Sequence, residues 1–117
     1  MSLKSTLLGT LCAAMVAVPT MTASAAESVY VPLLTYRTGA FAGSGIPIAN
    51  GMRDYLAMLN ERDGGIGGAM IEIEECETGY TAEKGVECYE KTKSKGAVVY
   101  NPYSTAITLQ LIPKAAV

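Results

Sequence analysis

Apolar and polar positions divide the chain into segments of different period. Residues 28 to 34 (SVYVPLL) are rich in β-branched and apolar side chains and predict a strand. Pro32 sits awkwardly in it, because proline removes a ladder donor. Residues 35 to 44 (TYRTGAFAGS) mix glycines with hydroxyls and predict a loop. Beyond it, Ile48, Met52, Tyr55, Leu56 and Leu59 fall at offsets 0, 4, 7, 8 and 11, one face of a 3.6-residue period. Pro47 suits the first helical position, with Ser44 or Gly45 capping ahead of it. Arg53, Asp54, Glu61 and Arg62 fall mainly on the other face. Asp63-Gly64-Gly65-Ile66-Gly67-Gly68 ends the helix with ample left-handed freedom. Its glycine density approaches that of a phosphate loop. No strand precedes it and no Lys-Ser/Thr follows, so it reads as a helix-to-strand turn.

Residues 69 to 75 (AMIEIEE) alternate, with Met70, Glu72 and Glu74 on one face and Ile71 and Ile73 on the other. That predicts a strand with one wet side, near a sheet edge. Thr78-Gly79-Tyr80-Thr81 is a turn, with Thr81 as N-cap of a second helix from Ala82 to about Ser94. Ala82, Val86 and Tyr89 form its apolar stripe, and Lys91, Lys93 and Lys95 suit its C-terminal dipole. Gly96 closes it. Residues 97 to 100 (AVVY) form a short apolar run that predicts a buried strand. Residues 101 to 105 (NPYST) turn into a third helix, Ala106 to Lys114, with Ile107 and Leu111 one turn apart. The order β-α-β-α-β-α predicts an α/β fold, a parallel sheet with helices on both faces and right-handed crossovers. Three strands of this size bury little, and the apolar third strand expects neighbours on both sides. The chain therefore reads as an incomplete lobe, the N-terminal part of a larger protein or a truncated gene product.

Residues 1 to 26 read as a secretory signal. Lys4 supplies a thin positive start, Leu7 to Val18 an apolar run, and Ala23-Ser24-Ala25 a small-x-small cleavage site. Cleavage after Ala25 or Ala26 leaves about 92 residues with a charge of -3. No apolar run reaches the ~18 residues of a membrane-spanning helix. Cys12 lacks the flanking small residue of a lipoprotein site and leaves with the signal. Export places Cys76 and Cys88 in an oxidising compartment, where an even count predicts one disulfide. Two buried free thiols are the alternative. Two thiols alone make no metal site.

The whole chain has 117 residues, a net charge of -2 and no histidine. No basic nucleic-acid footprint is present. Ser-His-Asp triads, Cys-His dyads and histidine-bound metals are excluded. Glu72, Glu74 and Glu75 are an acid–base candidate, but glycosidases set two carboxyls ~5–9.5 Å apart across a cleft. Neighbours on an edge strand seldom provide that, so no enzyme and no cofactor are expected.

Together, strand VYVPLL, loop YRTGAFAGSG, helix IANGMRDYLAMLNERDGGIGG, strand MIEIEE, helix TAEKGVECYEKTKSKGA, strand VVYN and turn PYST carry a resemblance over residues 29 to 117. The most specific part is the order: a loop with Thr-Gly, then a helix ending matched by Asn60, Gly64, Gly65, Ile66 and Gly68, then an acidic strand. The chain resembles the start of a type I periplasmic solute-binding protein of the branched-chain amino acid and amide class. Those are the receptor subunits of ABC importers. The resemblance implies two α/β lobes joined by a hinge, closing on a ligand between them. It implies strand order 2-1-3-4-5, with ligand beyond the carboxyl ends of strands 1 and 3. Two loops then matter, residues 35 to 44 and 101 to 106. Ser104 falls at the family's ligand serine, followed by Thr105, where a helix start offers N–H groups to a carboxylate. Plain N-capping is the other role of Ser104 and Thr105, and the two can coexist. Ser44 stands where relatives carry an aromatic over the ligand. Tyr36, Arg37, Phe41 and Tyr103 are the residues that could replace it, and Arg37 could pair a ligand carboxylate. The implied function is capture of a small polar solute, such as a branched-chain amino acid or amide, in the periplasm. The implied partner is the importer's membrane permease. A ligand-sensing periplasmic domain of the same fold, used in signalling, is the alternative.

Overall fold

The computed structural model describes residues 28–97 and 99–115. Residues 1–26, read from the sequence as a secretory signal, lie outside the described residues, as does Val98. The elements are β1 (Val29–Thr35), α1 (Ala42–Asp63), β2 (Ile71–Glu77), α2 (Ala82–Thr92) and α3 (Thr105–Ala115). A 3₁₀ turn, Lys93–Lys95, tightens the end of α2.

β1 and β2 pair in parallel, from Val29 opposite Ile71 to Thr35 opposite Glu77. A parallel pair needs a long crossover, and α1 supplies it. Adjacent glutamates of β2 show which helix covers which face. Glu74 meets Lys91 of α2 at 3.7 Å, while Glu75 meets Arg53 of α1 at 4.0 Å. The sheet therefore lies between α1 on one side and α2 with α3 on the other. Pro32 costs this pair nothing. Val29 N–H donates to the Met70 carbonyl at 2.8 Å, and the Thr35 carbonyl accepts from Thr78 N–H at 2.7 Å. Odd-numbered residues of β1 thus face β2, and the even-numbered proline faces the other way.

The core joins β1, α2 and α3. Leu34, Cys88, Tyr89, Ile107 and Leu111 form one buried cluster, with Cys76, Val86 and Tyr100 packed against it. Cys76 and Cys88 are disulfide-bonded, with 5.8 Å between their Cα atoms. This settles the choice between a bridge and two free thiols.

Three expectations from the sequence need correction. The expected third strand, 97–100, runs through Val98, outside the described residues; among the described residues the sheet contains β1 and β2 alone. The run is short, bounded by left-handed Gly96 (φ 80°) and by Pro102, and its tyrosine turns to α2. The Tyr100 ring lies 4.9 Å from that of Tyr89, and its hydroxyl is 2.8 Å from Thr92 Oγ1. Second, α1 begins at Ala42, so Pro47 is its sixth residue. The N–H groups of Ser44 and Gly45 both reach the Phe41 carbonyl at 3.0 Å, closing the first turn before the proline. The helical bond that Pro47 lacks would go to Gly43, an exposed position where solvent satisfies the carbonyl. Third, α1 contacts the sheet along a line of small residues. Gly45 and Ala49 are buried; of the predicted apolar face, Met52, Leu56 and Leu59 are half-buried, whereas Ile48 and Tyr55 stay exposed.

The turn after α1 explains its Asn-x-x-x-Gly-Gly pattern. Gly64 is left-handed (φ 70°), and its N–H bonds the Asn60 carbonyl at 3.2 Å. The Asn60 side chain then reaches β2. Its Nδ2 donates to the Ile71 carbonyl and its Oδ1 accepts from Ile71 N–H, both at 2.8 Å. Asn60→Ala removes both bonds at a half-buried position. A loss of about 2 kcal/mol is expected at roughly 1 kcal/mol per bond. Urea unfolding checks it, and an unchanged midpoint would mean that solvent replaces the amide.

Candidate functional site

The carboxyl ends of β1 and β2 open into residues 36–41 and the turn 78–81. The start of α3 joins the same core, since Leu34 and Ile107 share the buried cluster. Ser104 caps α3. Its Oγ accepts from Ile107 N–H at 3.5 Å, and its carbonyl accepts from Thr108 N–H at 2.9 Å. Ser104 is buried, and Thr105 is exposed as the first helical residue. A hydroxyl has one donor and two acceptor positions. Capping uses one acceptor position and leaves the O–H for another oxygen. The N–H groups of Thr105 and Ala106 precede any helical acceptor and carry the positive end of the dipole. Tyr103, half-buried ahead of the cap, is left-handed with φ 52°.

The other candidates are placed differently. Tyr36 is buried beneath α1, edge-on to Tyr80 with 4.8 Å between ring centroids. Phe41 tilts against the same Tyr80 ring at 4.6 Å. Ser44 is exposed in the first turn of α1. Arg37 is heavily engaged. Its guanidinium bonds Glu75 through Nε and through Nη2 at 3.1 Å, and Nη1 reaches Asn50 Oδ1 at 2.7 Å. Thr35 Oγ1 donates to the same Glu75 at 2.9 Å. The Arg37 guanidinium, first of all, holds the Glu75 carboxyl below its usual range, against the opposing effect of burial.

Of the carboxylates weighed as acid and base, Glu74 and Glu75 face opposite sides of the sheet, while Glu72 shares the face of Glu74 and is exposed. Glu74 receives the Tyr30 hydroxyl at 2.6 Å and Lys95 Nζ. The Lys95 bond, and then the Tyr30 bond, lower its pKa. Burial and Glu74 together push the Tyr30 phenol well above its ordinary value. Glu74 and Glu75 are thus each committed to the fold by their own set of donors.

Sequence reasoning missed the role of Glu77. The predicted strand ended at Glu75, whereas β2 runs two residues further. That extension puts Glu75 and Glu77 on one face, beside the loop after β1. A groove of about 420 Å³ lies elsewhere, lined by Tyr89, Val99, Tyr100, Pro102, Leu111 and Ile112 among others. None of Tyr36, Arg37, Ser44, Tyr103, Ser104 and Thr105 lines it.

Residues 28–117 match the family model described as periplasmic binding protein. Among solved structures, the chain is similar to a protein described as an ABC transporter permease from the Pseudomonas fluorescens group. The identity is 44% and the TM-score 0.71, over 76% of this chain and 22% of that one. The chain thus spans about a fifth of that relative's length. No curated protein matches it. The match covers both strands, all three helices and the capped start of α3, so the chain belongs to the periplasmic binding protein family.

Proposed function

We propose that residues 27–117 form part of the first lobe of an ABC importer's substrate-binding component, exported by residues 1–26. In this reading the protein captures a small polar solute in the periplasm, an amino acid of the branched-chain or amide kind, and delivers it to the membrane permease. It binds and releases its ligand and catalyses nothing.

The observation that carries the reading is the start of α3. A buried Ser104 cap keeps a hydroxyl donor, and the Thr105 and Ala106 N–H groups lie beside it. A carboxylate is the complement of such a set. Thr105 and Tyr103 would flank the ligand, with Ser44 presented from the first turn of α1. Arg37 and Tyr36 would support that loop from behind, because their polar and aromatic contacts are taken up by Glu75, Asn50 and Tyr80.

Calorimetric titration of the exported protein with leucine, isoleucine, valine, glutamine and asparagine tests the reading. One-to-one binding of one group is expected. Ser104→Ala should weaken it roughly ten- to a hundredfold, the worth of a hydrogen bond to a charged group. Ser104→Thr keeps a capping hydroxyl and separates ligand contact from helix capping. Unchanged affinity in Ser104→Ala would remove Ser104 from the site. No binding of any amino acid would overturn the reading.

A further inference from the structure

We propose that Glu77 is the positioning residue of the first ligand loop, its carboxylate the fixed anion around which residues 37 and 38 are ordered. The inference rests on the reading of that loop as ligand-facing. Glu77 Oε2 accepts the Arg37 N–H at 2.8 Å. Its Oε1 accepts the Thr38 N–H at 3.2 Å, the Thr38 hydroxyl at 2.9 Å and the Gly79 N–H at 3.0 Å. One carboxylate therefore ties the loop after β1 to the turn after β2.

The anchor itself is held. Glu77 is the last residue of β2, opposite Thr35. Next to it, the buried Thr78 donates to the Thr35 carbonyl twice, through N–H at 2.7 Å and Oγ1 at 2.8 Å. On the other side Cys76 is bonded to Cys88 of α2. Arg37 is gripped at both ends, its backbone by Glu77 and its guanidinium by Glu75. Backbone N–H groups beyond a strand end need acceptors, and these find theirs in one side chain. Without it, ordering the loop would fall to the binding step and oppose affinity.

The charged groups facing Glu77 are Arg37 from the loop, Glu75 from its own strand, and Lys84, Glu87 and Lys91 from α2, which line a hollow with it. Burial raises its pKa. The bonds from Arg37, Thr38 and Gly79 outweigh that and leave it lowered. A lowered folded pKa means that the latch is complete above the ordinary carboxylate range. It is lost as pH falls through the lowered value.

The test uses amide hydrogen exchange and calorimetry with L-leucine and L-glutamine, on the wild type, Glu77→Gln and Glu77→Asp, from neutral pH downward. Glu77→Gln should unfold cooperatively with its disulfide intact, yet lose protection at Arg37, Thr38 and Gly79. It should bind about tenfold more weakly, with the acid fall in affinity absent. Glu77→Asp should restore part of both, and it carries the test if Glu77→Gln does not fold. Wild-type protection in Glu77→Gln overturns the inference, as does lost protection with unchanged affinity. Tight binding by the wild type and Glu77→Gln alike overturns this inference and leaves the solute reading standing. A wild type that binds neither these probes nor isoleucine, valine or asparagine overturns both.

Discussion

Replacing Cys76 and Cys88 together by alanine is expected to lower stability by about 3 kcal/mol, the chain-entropy value for a loop of this size. The bridge closes a separation of 12 residues between the end of β2 and the middle of α2. Its effect is not confined to the unfolded chain. Cys88 lies in the cluster with Leu34, Tyr89, Ile107 and Leu111, so the bond ties the sheet to the core that holds α3. Small domains have only about 5–15 kcal/mol in total, so the loss is a large share. Urea unfolding with and without reductant measures it. The reduced wild type and the double alanine variant should share a lowered midpoint. A reduced protein with the oxidised midpoint would show that the denatured chain is already restrained between these residues.

Gly45→Ala is expected to destabilise by about 2–3 kcal/mol, the upper range for overpacking. A Cβ there would stand 1.8 Å from the Tyr36 carbonyl oxygen and 2.3 Å from the Tyr36 ring. The oxygen is backbone and cannot swing aside, so α1 would have to lift from the loop it covers. Gly51→Ala in the same helix is the control. A Cβ at Gly51 meets nothing within 4 Å, so the alanine should stabilise by roughly 0.5–1 kcal/mol through helix propensity alone. Opposite signs for the two variants, read from thermal or urea unfolding, check the argument. A neutral Gly45→Ala would mean that the helix start is already loose.

Elements with strong local signals were legible in the sequence. The 3.6-residue spacing marked α1, Thr81 marked the start of α2, and Ile107 with Leu111 marked the buried face of α3. What failed depended on partners distant in sequence. Of the apolar face assigned to α1, Met52, Leu56 and Leu59 are half-buried, but Ile48 and Tyr55 stay exposed, and the close contact at Gly45 was missed because packing on Tyr36 favours the absence of a side chain. The run at 97–100 looked like a strand because apolar content says nothing of which element it meets. Tyr100 meets Thr92 and Tyr89. Within the candidate site, Ser104 and Thr105 were legible through the helix start they mark. Arg37 was legible as a cation but not as a committed one, since Glu75 and Asn50 lie 38 and 13 residues away. Glu77 was hidden by a strand end placed two residues early.

The Asn60 amide has a consequence for how chains meet one another. Even-numbered residues of β2 face β1, as the Met70 carbonyl does, so the groups of Ile71 point to the outer edge. There the side-chain amide of Asn60 already fills both hydrogen-bonding positions. A strand from a second molecule, approaching that edge in register, finds its first rung taken. Exposed edges are templates for aggregation, and natural sheets blunt them with devices of this kind. Asn60→Ala would open that first rung in addition to loosening the turn.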